Sequence, residues 1–213
     1  MTGDPMRDLQ RHDNALPDPP QTAEMVADQR SVPRFTLLIR AAKLVTEDSE
    51  YLCVVRDASE KGISVRLFHP LPPEVPIRLE MPNGDRHALE RVWEEDARAG
   101  FSFPEPVPME QIVESPSQFA RRGLRVRLHV PCELFAGVTK AEATIVNLSQ
   151  QGAQISTQLP LSLLQRIKIR AEGMPEVAGK VRWRRNGQYG LSFEDTFQFA
   201  QLAALAFELQ RGT

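Results

Sequence analysis

Cysteine is scarce in this chain. Only Cys53 and Cys132 occur among its 213 residues. Both sit inside strand-like apolar runs (YLCVV and VRLHVPCEL), so they read as buried free thiols, as a reducing cytoplasm would keep them. The histidines (His12, His69, His87 and His129) are scattered, and no Cys or His spacing suits a metal. No apolar run approaches the roughly 18 residues that a bilayer span requires. The N-terminal stretch MTGDPMRDLQRHDNALPDPPQTAEMVADQ has no apolar core, so a secretory leader is not expected. Aromatic residues make up only 7% of the chain and do not interleave with its arginine clusters, which counts against a general nucleic-acid stacking surface. No nucleophile stands beside a His–acid pair, and no Gly-rich loop opens a helix, so no catalytic residue is assigned.

Proline and charge are plentiful and unevenly placed. The 17 prolines cluster at 17–20, 70–76 and 104–116, which punctuates the chain into packed segments. Residues 1–28 hold 2 basic and 6 acidic groups and read as a disordered acidic tail. Residues 29–106 hold 11 and 13, whereas residues 119–213 hold 13 and 7. The basic second half suits an anionic partner.

The chain also repeats itself. At a shift of 90 residues Asp57, Ser59 and Gly62 fall on Asn147, Ser149 and Gly152, and Trp93, Gly100 and Phe103 fall on Trp183, Gly190 and Phe193. At a shift of 91, Arg30 and Arg34 fall on Arg121 and Arg125. Each half therefore carries R-x-x-x-R, then [DN]-x-S-x-x-G, then a Trp followed seven residues later by Gly. A one-residue length change lies between the arginine pair and the polar turn. Duplication explains the register.

Between these marks the apolar residues alternate. Val126, Leu128, Val130, Cys132 and Leu134 share one face, as do Ile63, Val65 and Leu67. Short strands recur without intervening helices, which predicts two tandem six-stranded antiparallel barrels, an all-β fold. The strands are expected near 35–45, 50–57, 62–68, 76–82, 86–93 and 99–103, then 126–135, 140–147, 152–158, 166–171, 177–183 and 188–193. The first barrel is assigned to 29–106, a linker with a short helix at 109–114 to 107–118, and the second barrel to 119–213. Trp93 and Trp183 are expected in the two cores. A terminal α-helix, with Asp195 as its N-cap and Phe199, Leu202, Ala203, Ala206 and Leu209 on one face, is expected to pack on the second barrel.

The duplicated motifs have a chemistry in common. Paired guanidinium forks grip phosphates bidentately, meet the acceptor edge of guanine and stack on bases. Asp57 and Asn147 can accept from ligand N–H groups. Ser59 and Ser149 can donate to phosphate or to nearby backbone. Gly62 and Gly152 permit positive φ or close approach. Taken singly, each motif is better read as a solvated arginine pair or an ordinary turn. Duplicated and in register, they read as a guanine-nucleotide site.

With R30-S-V-P-R34 and D57-A-S-E-K-G62, and again R121-R-G-L-R125 and N147-L-S-Q-Q-G152, the sequence resembles the PilZ domain, present twice over about 30–103 and 120–210. The resemblance implies a bacterial receptor for cyclic di-GMP built on a six-stranded barrel. It implies that Arg30, Arg34, Arg121 and Arg125, with Arg122 assisting, wrap the ligand. Asp57, Ser59 and Gly62, and Asn147, Ser149 and Gly152, would line the opposite wall. The expected function is non-enzymatic signalling by ordering of the arginine leaders and rearrangement of the barrels, with a downstream protein partner. The alternative is a PilZ-fold adaptor in which one or both halves ignore the nucleotide. No metal, cofactor or membrane insertion is expected, and the setting is cytoplasmic.

Overall fold

A computed structural model describes residues 35–73, 75–113 and 123–212. Arg30, Arg34, Arg121, Arg122 and the acidic tail lie outside the described residues. The first six strands are β1 (Phe35–Val45), β2 (Glu50–Ser59), β3 (Gly62–Leu67), β4 (Ile77–Glu80), β5 (Arg86–Glu95) and β6 (Arg98–Ser102). A short helix α1 (Met109–Val113) follows. Then come β7 (Val126–Ala136), β8 (Thr139–Ser149), β9 (Gly152–Ser156), β10 (Arg166–Arg170), β11 (Val177–Arg185) and β12 (Gln188–Phe193), and finally α2 (Phe199–Arg211).

Each set of six strands closes on itself, in the order β1-β2-β3-β6-β5-β4 and the matching order in the second half. Closure leaves no sheet edge. The alternating apolar residues fill the interiors: Val55, Val65, Leu79 and Ala99 in the first barrel, Leu134, Ile145, Ile155 and Val181 in the second, all fully buried. The β11–β12 hairpin turns through Asn186 and Gly187 with φ of 48° and 72°. Its counterpart between β5 and β6 uses Asp96 and Ala97 at 45° and 59°. Two positive-φ residues match the right-handed twist of the flanking strands.

Bulges explain the length change between the repeats. Register shifts between Thr36 and Arg40 in β1, and between Arg127 and Val130 in β7. The first bulge spans one residue more. The arginine leaders are therefore offset by 91 and everything after the bulge by 90.

Helix α2 differs from expectation in two respects. Its N-cap is Gln198, whose backbone N–H donates to Gln201 Oε1 at 2.9 Å. Asp195 stands three residues outside. The helix also packs against both barrels. Leu202, Ala203, Ala206 and Leu209 bury into the second core. On the first barrel, His69 stacks on Phe207 with ring centroids 4.0 Å apart, Phe68 meets Phe199 edge-on, and Tyr51 lies 6.3 Å from Phe207. Leu52 of β2 joins the second core outright.

Candidate functional site

Both polar turns sit at the tips of matching hairpins. Ser59 pairs with Gly62 across β2 and β3, and Ser149 with Gly152 across β8 and β9. Each serine closes its own turn, donating to the glycine carbonyl at 3.3 and 3.0 Å. Neither glycine has positive φ. A Cβ on Gly62 would overlap the Phe101 carbonyl oxygen, and one on Gly152 the Leu191 carbonyl oxygen. The glycine is thus required for close approach of the neighbouring strand, not for a special backbone angle.

Four bulges aim the remaining side chains. In β8 the inward phase runs through Ala143 and Ile145, so strict alternation would turn Asn147 into the barrel. A bulge between Ile145 and Asn147 turns it outward, and one between Val55 and Asp57 does the same in β2. In β11, Val177 and Val181 point inward, but a bulge between Val181 and Trp183 expels the indole. Trp93 in β5 follows the same course after Arg91. The tryptophans are therefore not core residues: Trp93 is 45% exposed and Trp183 is 38% exposed. Each lies over the glycine opposite it, Gly100 or Gly190, where a Cβ would overlap the indole. The Trp–Gly spacing common to both repeats was the available signal, because a glycine facing a tryptophan makes room for a ring outside the sheet.

Each barrel consequently has a cavity between its polar turn and its tryptophan. In the first, Asp57, Ser59, Lys61, Gly62, Trp93 and Gly100 line about 190 Å³. In the second, Arg125, Ser149, Gly152, Arg182, Trp183 and Gly190 line about 470 Å³. The second reaches the roughly 300 Å³ at which small-molecule sites begin, and the first falls short. Among the described residues its lining cations are Arg125 and Arg182, and the charged groups lining the first cavity are Lys61 and Asp57. Gly123, Arg125 and Trp183 also border an adjoining cleft between the barrels, lined in addition by Lys43, Arg86, Arg127 and Asn147.

The two turns are held differently. Asp57 accepts from Ser64 Oγ at 2.7 Å. Asn147 accepts from Arg125 Nη1 at 3.2 Å, and its amide donates to Gln154 Oε1 at 2.7 Å, while Gln154 Nε2 donates to Gln188 Oε1. At this turn the second barrel thus presents the Asn147 amide where the first presents the Asp57 carboxylate. Arg127, at the edge of this site, is drawn above the usual arginine range by its hydrogen bond and charge pairing with Glu50.

Among the described residues no group of three or more His, Cys, Asp or Glu could hold a metal ion. No described helix is long and apolar enough to cross a membrane. Burial pushes the Cys132 thiol up to about 11, and Cys53 further still, so both are protonated and inert at neutral pH.

Residues 118–208 match the family model described as PilZ domain. No curated protein matches the chain. Solved structures similar to it include Borreliella burgdorferi PlzA in complex with c-di-GMP, at 11% identity and a TM-score of 0.36 over 81% of this chain and 88% of that one. The Bacillus subtilis inhibitor of motility MotI/DgrA is 12% identical, with a TM-score of 0.36 over 82% and 96%. YcgR from Escherichia coli, also in complex with c-di-GMP, is 14% identical, with a TM-score of 0.32 over 82% and 85%. At these TM-scores the residues of this chain, rather than its neighbours, carry the functional reading.

Proposed function

Taking the second barrel as the PilZ domain that residues 118–208 match, we propose that the protein is a non-catalytic receptor for cyclic di-GMP and that this barrel is the principal site. The observation that carries the reading is convergence. Arg125 from the leader, Ser149 from the polar turn and the exposed face of Trp183 border one open cavity of about 470 Å³, with Asn147 bonded to Arg125.

The chemistry suits the ligand part by part. An indole or guanidinium plane stacks on guanine. Arginine forks bind its acceptor edge or the phosphates. Asn147 offers both a donor and an acceptor. Arg121 and Arg122, just upstream in the sequence, would supply further cationic forks. The first barrel repeats the plan with Arg30, Arg34, Asp57, Ser59 and Gly62, but its smaller cavity and its carboxylate make it the weaker site. Binding orders the leader, and the change passes to the first barrel and from there to a protein partner. Adaptor function alone is the poorer account, because the apolar residues of α2 are already occupied by the two barrels.

Isothermal titration of the full chain with cyclic di-GMP tests this. The reading expects saturable binding that Arg125→Ala weakens about tenfold or more, and that Arg34→Ala weakens less. A folded protein that gives no binding heat at micromolar concentrations contradicts it.

A further inference from the structure

The second barrel's candidate site is fastened from the first barrel. Lys43 in β1 and Glu50 in β2 are each only 4% exposed. Lys43 Nζ donates to Glu50 Oε2 at 2.9 Å and to the Arg125 carbonyl at 2.9 Å, and pairs with Glu80 at 2.7 Å. Glu50 Oε2 accepts the Arg127 backbone N–H at 2.9 Å, and Oε1 accepts Arg127 Nε at 2.6 Å. The Glu50 backbone is engaged as well: its N–H donates to Gln210 Oε1 and its carbonyl accepts from Gln210 Nε2, at 2.8 and 3.0 Å. One residue of the first barrel thus joins β7 and α2. The backbone it grips, with Lys43, is where the R-x-x-x-R leader enters the second barrel.

The duplication supplies an internal comparison. The register of β7 with β8 and β10 places Glu133, Lys140 and Arg170 where Lys43, Glu50 and Glu80 stand in the first barrel. The charges are reversed. Glu133 pairs with Lys140 and, at 3.7 Å, with Arg170, all three at least 42% exposed. At the same positions the first-barrel charges are buried because residues 125–127 lie over them. A buried ion pair is a weak source of stability, and its best-attested use is to fix register. Here the pair also binds the Arg125 carbonyl and both the backbone N–H and the side chain of Arg127.

We propose that Lys43 and Glu50 are positioning residues for the nucleotide site of the second barrel, so that the first barrel completes that site and senses its occupancy. They act through the backbone at Arg125 and Arg127, setting where the Arg125 guanidinium stands relative to Asn147 and Trp183. This inference rests on the cyclic di-GMP reading above.

The test uses the full chain and three variants. Glu50→Gln removes the charge that holds Arg127. The double variant K43E/E50K keeps an ion pair between these two positions, sets a carboxylate at position 43 against Glu80, and reverses every donor and acceptor facing the leader. Val55→Ala opens the core of the first barrel without touching the leader and serves as the stability control. Affinity for cyclic di-GMP is measured by calorimetry, and amide hydrogen exchange at Arg127 is followed without ligand. The expected result is binding weakened about tenfold or more in the first two variants, faster exchange at Arg127, and affinity within about twofold of wild type in Val55→Ala. Folded Glu50→Gln and K43E/E50K proteins with wild-type affinity overturn this inference alone, as does an equal loss in Val55→Ala. A wild-type protein that does not bind overturns the underlying reading and this inference with it.

Discussion

The indole of Trp183 lies over Gly190, its partner across β11 and β12, and any side chain at position 190 would overlap it. Gly190→Ala is therefore expected to lift the indole off the sheet and shift the emission of Trp183. Overpacking of this kind costs about 1–3 kcal/mol, measurable by urea denaturation. An unshifted spectrum with unchanged stability would show that the ring is not seated there.

Gly152 meets backbone instead of a side chain. Its missing Cβ leaves room for the Leu191 carbonyl oxygen, which is fixed in the β9–β12 ladder and cannot swing aside. Gly152→Ala should destabilise the second barrel by about 1–3 kcal/mol and weaken nucleotide binding as the turn shifts. Chemical denaturation followed by calorimetry on the folded fraction separates the two effects.

The β5–β6 turn carries a correctable strain. Ala97 has φ of 59°, where the second repeat places Gly187. An L-residue with a Cβ pays roughly 1–2 kcal/mol in the left-handed region. Ala97→Gly is expected to raise the stability of the first barrel by about 0.5–1 kcal/mol after the greater chain entropy of glycine is deducted. Thermal melts check this, and a lowered melting temperature would contradict it.

Much of this molecule is readable from its sequence, and the exceptions share causes. Period-two alternation locates the strands because each has one face on a closed core. The same rule misplaces Trp93 and Trp183, because a bulge after Arg91 and another after Val181 reverse the face. The polar turns are legible as motifs, but Ser59 and Ser149 serve their own hairpins. Asp195 has the right chemistry for an N-cap, yet the Gln198–Gln201 pair three residues on takes the position. Nothing local marks Lys43 or Glu50 as buried, since their burial comes from the other barrel.

Stability should depend on pH through His69. Burial against Phe207 pushes its imidazole below the ordinary value, against opposing pulls from Glu208 and a hydrogen bond to the Ala203 backbone. A histidine with a lowered folded pKa takes up its proton more readily when unfolded. Stability is then full above the unfolded value of about 6.5 and declines as pH falls below it. Melts from pH 7.5 to 5.5 should show this decline, and His69→Phe, which keeps a ring on Phe207, should flatten it. His87 is displaced in the same direction by burial and supplies the residual slope.

With only two tryptophans in the chain, each can report alone on its own barrel. The most direct measurement is the fluorescence of Trp93→Phe, in which Trp183 is the sole indole, titrated with cyclic di-GMP. Saturable quenching that Arg125→Ala displaces to about tenfold higher ligand is the predicted result. An emission indifferent to ligand, in protein that calorimetry shows to bind it, would contradict the placement of the nucleotide against Trp183.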